Sequence, residues 1–131
     1  MGDEAVRLAQ KLFAGRFGDW PGDAFELLAE DVVIHVSDGH IYIGHEGYAR
    51  WYEEQLSDQL EQVFHLDGAE PLREHWVVMK GATERTLRDG EKQLQPGCWL
   101  VHVRAGLIAA VLYYRTEREA RAALSEQHPD G

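Results

Sequence analysis

Few side chains in this sequence could do chemistry together, and their spacing narrows the choice. Seven histidines occur, at His35, His40, His45, His65, His75, His102 and His128. None falls into an HxH or HExxH spacing, so a clustered metal site is not indicated. There is no glycine-rich phosphate loop and no GxSxG elbow, and no cofactor is expected. What remains is proton transfer, which needs one acid/base group in a dry pocket. Histidine is suited to it near neutrality, and a carboxylate becomes suited when burial raises its pKa. His35 and Glu84 are the catalytic candidates. Glu84 is the one carboxylate that can be placed in an otherwise apolar interior, provided the even positions of its strand face inward; otherwise it is a solvated residue beside Arg85. His35 and His102 fall on the outer face of their strands unless a bulge turns them. Tyr42, Tyr48, Tyr113 and Tyr114 offer hydroxyls to a ligand oxygen or serve as core.

The elements that must position these groups can be read from periodicity. Ala5, Leu8, Ala9, Leu12 and Phe13 recur at helical spacing after Asp3, a candidate N-cap. A turn at residues 19–23 leads to a second helix that stops near Glu30 and Asp31. Val32 to Ser37 alternates as a strand, Ile41 to Ile43 returns, and Glu46 to about Leu60 forms a third helix with an aromatic face. Val63 to Leu66 follows as strand, with an extension to Leu72 left open by Gly68 and Pro71, which mark a bulge or an edge. Trp76 to Leu87 and Lys92 to Arg104 form a hairpin closed at Asp89 and Gly90. The stretch Gly97 to Arg115 holds a further pair turned at Ala105 and Gly106. Its second strand, Leu107 to Tyr114, is apolar on both faces, which asks for two covering layers, the chain's own helices on one side and a second subunit on the other. Thr116 and Glu119 have the spacing of a capping box for a terminal helix.

The chain has 131 residues, 13 basic and 23 acidic, for a formal charge of −10. That size suits a single domain over 1–131, with a core of about 5–124 and a flexible tail at 125–131. The acidic balance argues against nucleic acid and anionic membranes as partners. No apolar run reaches the ~18 residues that cross a bilayer. Cys98 is the sole cysteine, and with no signal sequence apparent the expected location is cytoplasmic.

Helices first and a strand meander after them describe an α+β architecture, a cone in which N-terminal helices pack on a curved, mostly antiparallel sheet around a pocket. That order, with LLAEDVVIHVSDGHIYIGHEGYARWYEEQ and WLVHVRAGLIAAVLYYRTEREARAAL, resembles the nuclear transport factor 2-like superfamily and, within it, the SnoaL-like proteins. Asp31 before the first strand, Gly44 before the third helix, the Asp89-Gly90 turn and Gly106 to Ile108 carry the likeness. The resemblance implies a pocket for a small, largely apolar ligand, and the two-sided strand Leu107 to Tyr114 adds the expectation of a homodimer formed through the outer sheet face. It implies isomerase, cyclase or dehydratase chemistry, or alternatively a non-catalytic binding or dimerisation module. The acids used by catalytic relatives do not carry over. The ketosteroid isomerase base position matches Val36, its oxyanion tyrosine falls among Lys11, Leu12 and Phe13, and its partner acid falls near Trp99. The SnoaL-type aspartate matches Leu112 or Tyr113. The expected pocket lining is Phe13, Phe17, Ile34, Val36, Tyr48, Trp51, Trp76, Trp99, Val101, Leu112 and Tyr114.

Overall fold

The computed structural model describes residues 2–13, 24–36, 39–72 and 75–127. Helix α1 (Gly2–Phe13) and the single turn α2 (Ala24–Leu27) precede strands β1 (Leu28–His35) and β2 (Ile41–Ile43). Helix α3 (Gly44–Asp58) leads into β3 (Gln59–Leu72), β4 (Trp76–Leu87), β5 (Lys92–Arg104) and β6 (Leu107–Tyr114), and α4 (Glu117–Gln127) follows. The strands form one six-stranded sheet in the order β2-β1-β6-β5-β4-β3. Every neighbouring pair is antiparallel except β1 with β6. This is the expected α+β arrangement, helices packed on a curved sheet.

The α1 stripe behaves as its spacing predicts: Ala5, Ala9 and Phe13 are buried, with Leu8 and Leu12 packed beside them. The helix begins at Gly2, so Asp3 lies within its first turn instead of capping it. The second helix is shorter than its sequence suggests. Leu28 pairs with Ile108 of β6, so the chain enters the sheet before Val32, and sheet pairing overrides local helical spacing. Leu60, expected on the third helix, is a strand residue. Helix α4 runs on to Gln127, into the stretch read as a tail; residues 128–131 lie outside the described set.

Two cores flank the sheet. On one face α1 and α3 pack against Ile34, Val77, Met79, Trp99, Val101 and Val111. On the other, Ala120 and Leu124 of α4 pack against Trp76, Val78, Cys98, Leu100 and Leu112. The two-sided apolarity of β6 is therefore satisfied within the chain: α4 supplies the second layer that was expected of a partner subunit, and the strand no longer argues for one. Thr116 Oγ1 accepts from the Glu119 N–H at 3.1 Å, capping α4. The Glu119 carboxylate pairs with Arg115 at 3.2 Å, so the box closes on one side only. Lys80 to Glu117 (3.2 Å) and Arg121 to Glu70 (2.8 Å) tie the helix to the sheet rim.

Cys98 lies in this second core at 2 % exposure, and burial pushes its thiol from 9.0 up to about 11. A buried apolar thiol of that kind is unreactive. Folded protein is expected to resist a thiol-specific disulfide reagent at pH 8, and denatured protein to react at once. Because the folded pKa is raised, the thiol's contribution to stability is intact below pH 9 and is lost as pH rises towards about 11. Rapid labelling of the native protein at pH 8 would contradict this burial.

Candidate functional site

A cavity of about 100 Å³ lies between α1, α3 and the inner face of the sheet. Leu12 and Phe13 come from α1, Tyr48 and Trp51 from α3, and Ile34 and Val36 from β1 and the residue following it. The sheet adds Gln62 and Phe64 of β3, Thr83 and Arg85 of β4, Gln95 and Trp99 of β5, and Val111 and Tyr113 of β6. Ladder register explains why these meet. Phe64 stands opposite Thr83, and Thr83 opposite Gln95; Gln62 stands opposite Arg85, and Trp99 opposite Tyr113. Side chains directly opposite share a face.

The apolar wall is an aromatic triangle. Phe13 and Phe64 have centroids 4.9 Å apart, Phe13 and Trp99 5.3 Å, and Phe64 and Trp99 5.6 Å at 89°. Edge-to-face packing of this sort fixes ring orientation. Tyr113 closes the row at 5.8 Å from Trp99. Its hydroxyl accepts from Gln95 Nε2 at 3.3 Å and donates to the Pro96 carbonyl at 3.1 Å. Gly97 makes room for the ring, since a Cβ there would meet Tyr113 Cε1 at 2.5 Å. The sheet's polar contribution to the lining beyond β1 is thus Arg85, Gln62, Gln95, Thr83 and Tyr113, of which Gln62 and Thr83 are buried.

Among the expected lining residues, Phe13, Ile34, Val36, Tyr48, Trp51 and Trp99 border the cavity. Val101 belongs to the same buried cluster, behind the wall. Phe17 lies outside the described residues. Trp76, Leu112 and Tyr114 lie on the opposite face, under α4, where Trp76 stacks on His102 at 4.5 Å. Both corrections come from strand register. Loop Arg88-Asp89-Gly90 has three residues, with Gly90 N–H donating to Leu87 O and Leu87 N–H to Glu91 O. Odd positions of β4 therefore accompany odd positions of β5. In β6 a bulge between the pairs His102–Ala110 and Val103–Ile108 changes the parity again. Val111 and Tyr113 consequently face the cavity in place of Leu112 and Tyr114.

The catalytic candidates are not brought together. Glu84 sits on the outer face, its Oε1 3.0 Å from His65 Nε2, and that hydrogen bond holds its carboxyl below the usual range. The pair is open to solvent and contributes little to stability. His35 borders the cavity between Ile34 and Val36, but both of those pack into the inner cluster. Its ladder partner is the outward-facing Leu112, so its imidazole belongs to the outer face. The Tyr42 hydroxyl donates to Glu54 at 2.6 Å. No described lining residue is a carboxylic acid, and among the described residues no group of three His, Cys, Asp or Glu side chains could hold a metal ion.

No protein-family model matches the chain, and no curated protein matches it significantly. Solved structures do. One is a protein proposed to be a polyketide cyclase, from Xanthomonas campestris pv. campestris: 22% identity, 92% of this chain and 96% of that one covered, TM-score 0.73. Another is a nuclear transport factor 2-like protein of unknown function from Burkholderia pseudomallei, at 12% identity, 91% and 95% coverage, and TM-score 0.70. This chain has the nuclear transport factor 2-like fold. A third likeness is a protein of ketosteroid isomerase-like fold from Catenulispora acidiphila, in complex with trimethylamine, at 16% identity, 87% and 86% coverage, and TM-score 0.71. Within that fold the cavity of this chain takes its place between the helices and the inner sheet face. Among the described residues no helix is long and apolar enough to cross a membrane.

Proposed function

We propose that this chain is a SnoaL-like pocket protein that binds a small, largely apolar molecule. The observation that carries the reading is the aromatic cavity walled by Phe13, Phe64 and Trp99, with Arg85, Gln62, Gln95 and Thr83 at its polar end. Apolar walls with a few convergent polar groups are how small-molecule sites are built. Binding without acid/base turnover is favoured over isomerisation, cyclisation or dehydration, because Glu84 and the His35 ring face away from the cavity. Homodimerisation through the outer sheet face belongs to the same proposal. Its support is the row Val63, Glu84, Leu94, in which Val63 and Leu94 are 37% and 66% exposed.

Native mass spectrometry of freshly purified protein, followed by a thermal-shift screen of small aromatic and alicyclic compounds, tests the binding reading. A co-purifying small molecule, or hits that also perturb Trp51 and Trp99 fluorescence, is the expected result. Absence of both would sink it. Sedimentation of a monomer at micromolar concentration would refute the dimer.

A further inference from the structure

Arg85 stands on β4 with Gln62 opposite on β3 and Gln93 opposite on β5. Both neighbours are neutral amides, and Thr83 precedes it on the same face. The chain has 23 acidic residues, yet none of the ion pairs among the described residues involves Arg85. Glu84, adjacent in sequence, is on the other side of the sheet with His65. The Arg85 Nε is buried and has no hydrogen-bond partner. The side chain as a whole is half-buried; a guanidinium stays charged at any ordinary pH, and a charge drawn partly out of water without a counter-ion carries a cost. The cost persists until an anion arrives.

We infer that the cavity's ligand is a small organic acid whose carboxylate pairs with the Arg85 guanidinium while its apolar body lies among Phe13, Phe64 and Trp99. This rests on the pocket reading above and adds the chemical class. A planar fork of N–H donors matches the two oxygens of a carboxylate, and such pairs are short and strong. One guanidinium balances one negative charge. A phosphate dianion would bring a second charge, and Arg85 is the one permanently charged cation among the described lining residues, the His35 ring lying on the outer face of its strand. Size sets a further limit: an apolar cavity of about 150 Å³ takes benzene, so about 100 Å³ suits a single ring or a short branched chain.

Matched acid and amide probes test the inference: benzoate against benzamide, and isovalerate against isovaleramide. The intact chain is titrated with each at pH 7, by tryptophan fluorescence and calorimetry. At least one acid is expected to bind tenfold or more tighter than its amide. Arg85→Gln should abolish that preference, because it removes the guanidinium that the carboxylate pairs with. Arg85→Lys, which keeps the charge and loses the fork, should retain part of the preference, and it supplies the test if the glutamine variant does not fold. Equal binding of acid and amide overturns the inference and leaves the pocket reading standing. Tighter binding of phenyl phosphate than benzoate, or a preference that survives Arg85→Gln, also overturns it. Binding of neither member of either pair removes both readings.

Discussion

Replacing Trp99 by alanine is expected to lower unfolding stability by about 3–5 kcal/mol, the usual cost of deleting a buried aromatic side chain. Trp99 is 6% exposed and touches rings from three other elements, Phe13 of α1, Phe64 of β3 and Tyr113 of β6. A helix and two strands converge on it from outside its own strand β5. Its removal enlarges the cavity on the side of the aromatic triangle, and the surrounding rings collapse only partly into the space. For a domain of this size such a loss lowers the thermal midpoint by ~10–20 °C. The protein should remain folded at room temperature if its total stability lies in the ordinary range of about 5–15 kcal/mol. Binding of ring-sized probes should weaken, since one face of the site is gone, while bulkier probes gain entry. Trp99→Phe keeps an aromatic face and should cost less than half as much. Chemical denaturation of the three proteins decides it. A Trp99→Ala variant within 1 kcal/mol of the parent would mean that Trp99 is not the centre of this wall.

Most of the fold was legible because its signals are local. The β4, β5 and β6 boundaries follow from apolar runs punctuated by turn residues, and Trp99, Val101 and Val103 face inward as their alternation says. The polar half of the site was hidden by parity. A two-residue loop at Asp89-Gly90 would pair Arg88 with Glu91 and set the even positions of β4 beside Trp99 and Val101, bringing Glu84 and Trp76 inward. The three-residue loop, with Gly90 at φ +93° and Asp89 Oδ1 accepting from Glu91 N–H at 2.9 Å, brings Thr83 and Arg85 inward instead. One residue of register exchanges every side chain between the faces. A clue was present: Val77 and Met79 are the apolar odd positions that match Val101 and Trp99, and counting on from them reaches Arg85. For β6 there was no such clue. The Ala105-Gly106 loop does have two residues, with Arg104 opposite Leu107, and alternation from there puts Leu112 and Tyr114 inward. The bulge that reverses them lies where β6 also pairs with β1, a contact remote in sequence that local alternation does not show. Gly97 was the remaining signal, since a strand glycine two residues from the partner of an aromatic residue leaves room for that ring to lie over the backbone.

Gly81→Ala is expected to be the more damaging of two glycine substitutions on the β3–β4 ladder, with a loss above about 3 kcal/mol, beyond ordinary overpacking. A Cβ at Gly81 would lie 2.1 Å from the His65 carbonyl oxygen and 2.9 Å from Leu66 Cα. Both are backbone atoms, so no side-chain rotation relieves the clash and β3 must move away. The crowding has a specific origin. Between Leu66, opposite Gly81, and Gly68, opposite Lys80, strand β3 carries Asp67 as an extra residue, and the bulge presses its backbone over Gly81. Since β3 also carries Gln62 and Phe64, its displacement should abolish ligand binding along with stability. Gly68→Ala is the control, because a Cβ there meets only Lys80 Cε, at 3.8 Å, and should cost no more than about 1 kcal/mol. Denaturant midpoints of both variants, with probe binding measured on each, separate the cases. The comparison also bears on the chemistry of the site. With the bulge on β3, strand β4 keeps strict alternation from Val77 to Arg85, and Arg85 points into the cavity. Were the irregularity on β4 at Gly81, alternation beyond it would reverse and Glu84 would enter the cavity in Arg85's place. Tolerance of alanine at Gly81 would therefore bring back the carboxylate that proton-transfer catalysis needs, and a severe loss keeps the cation.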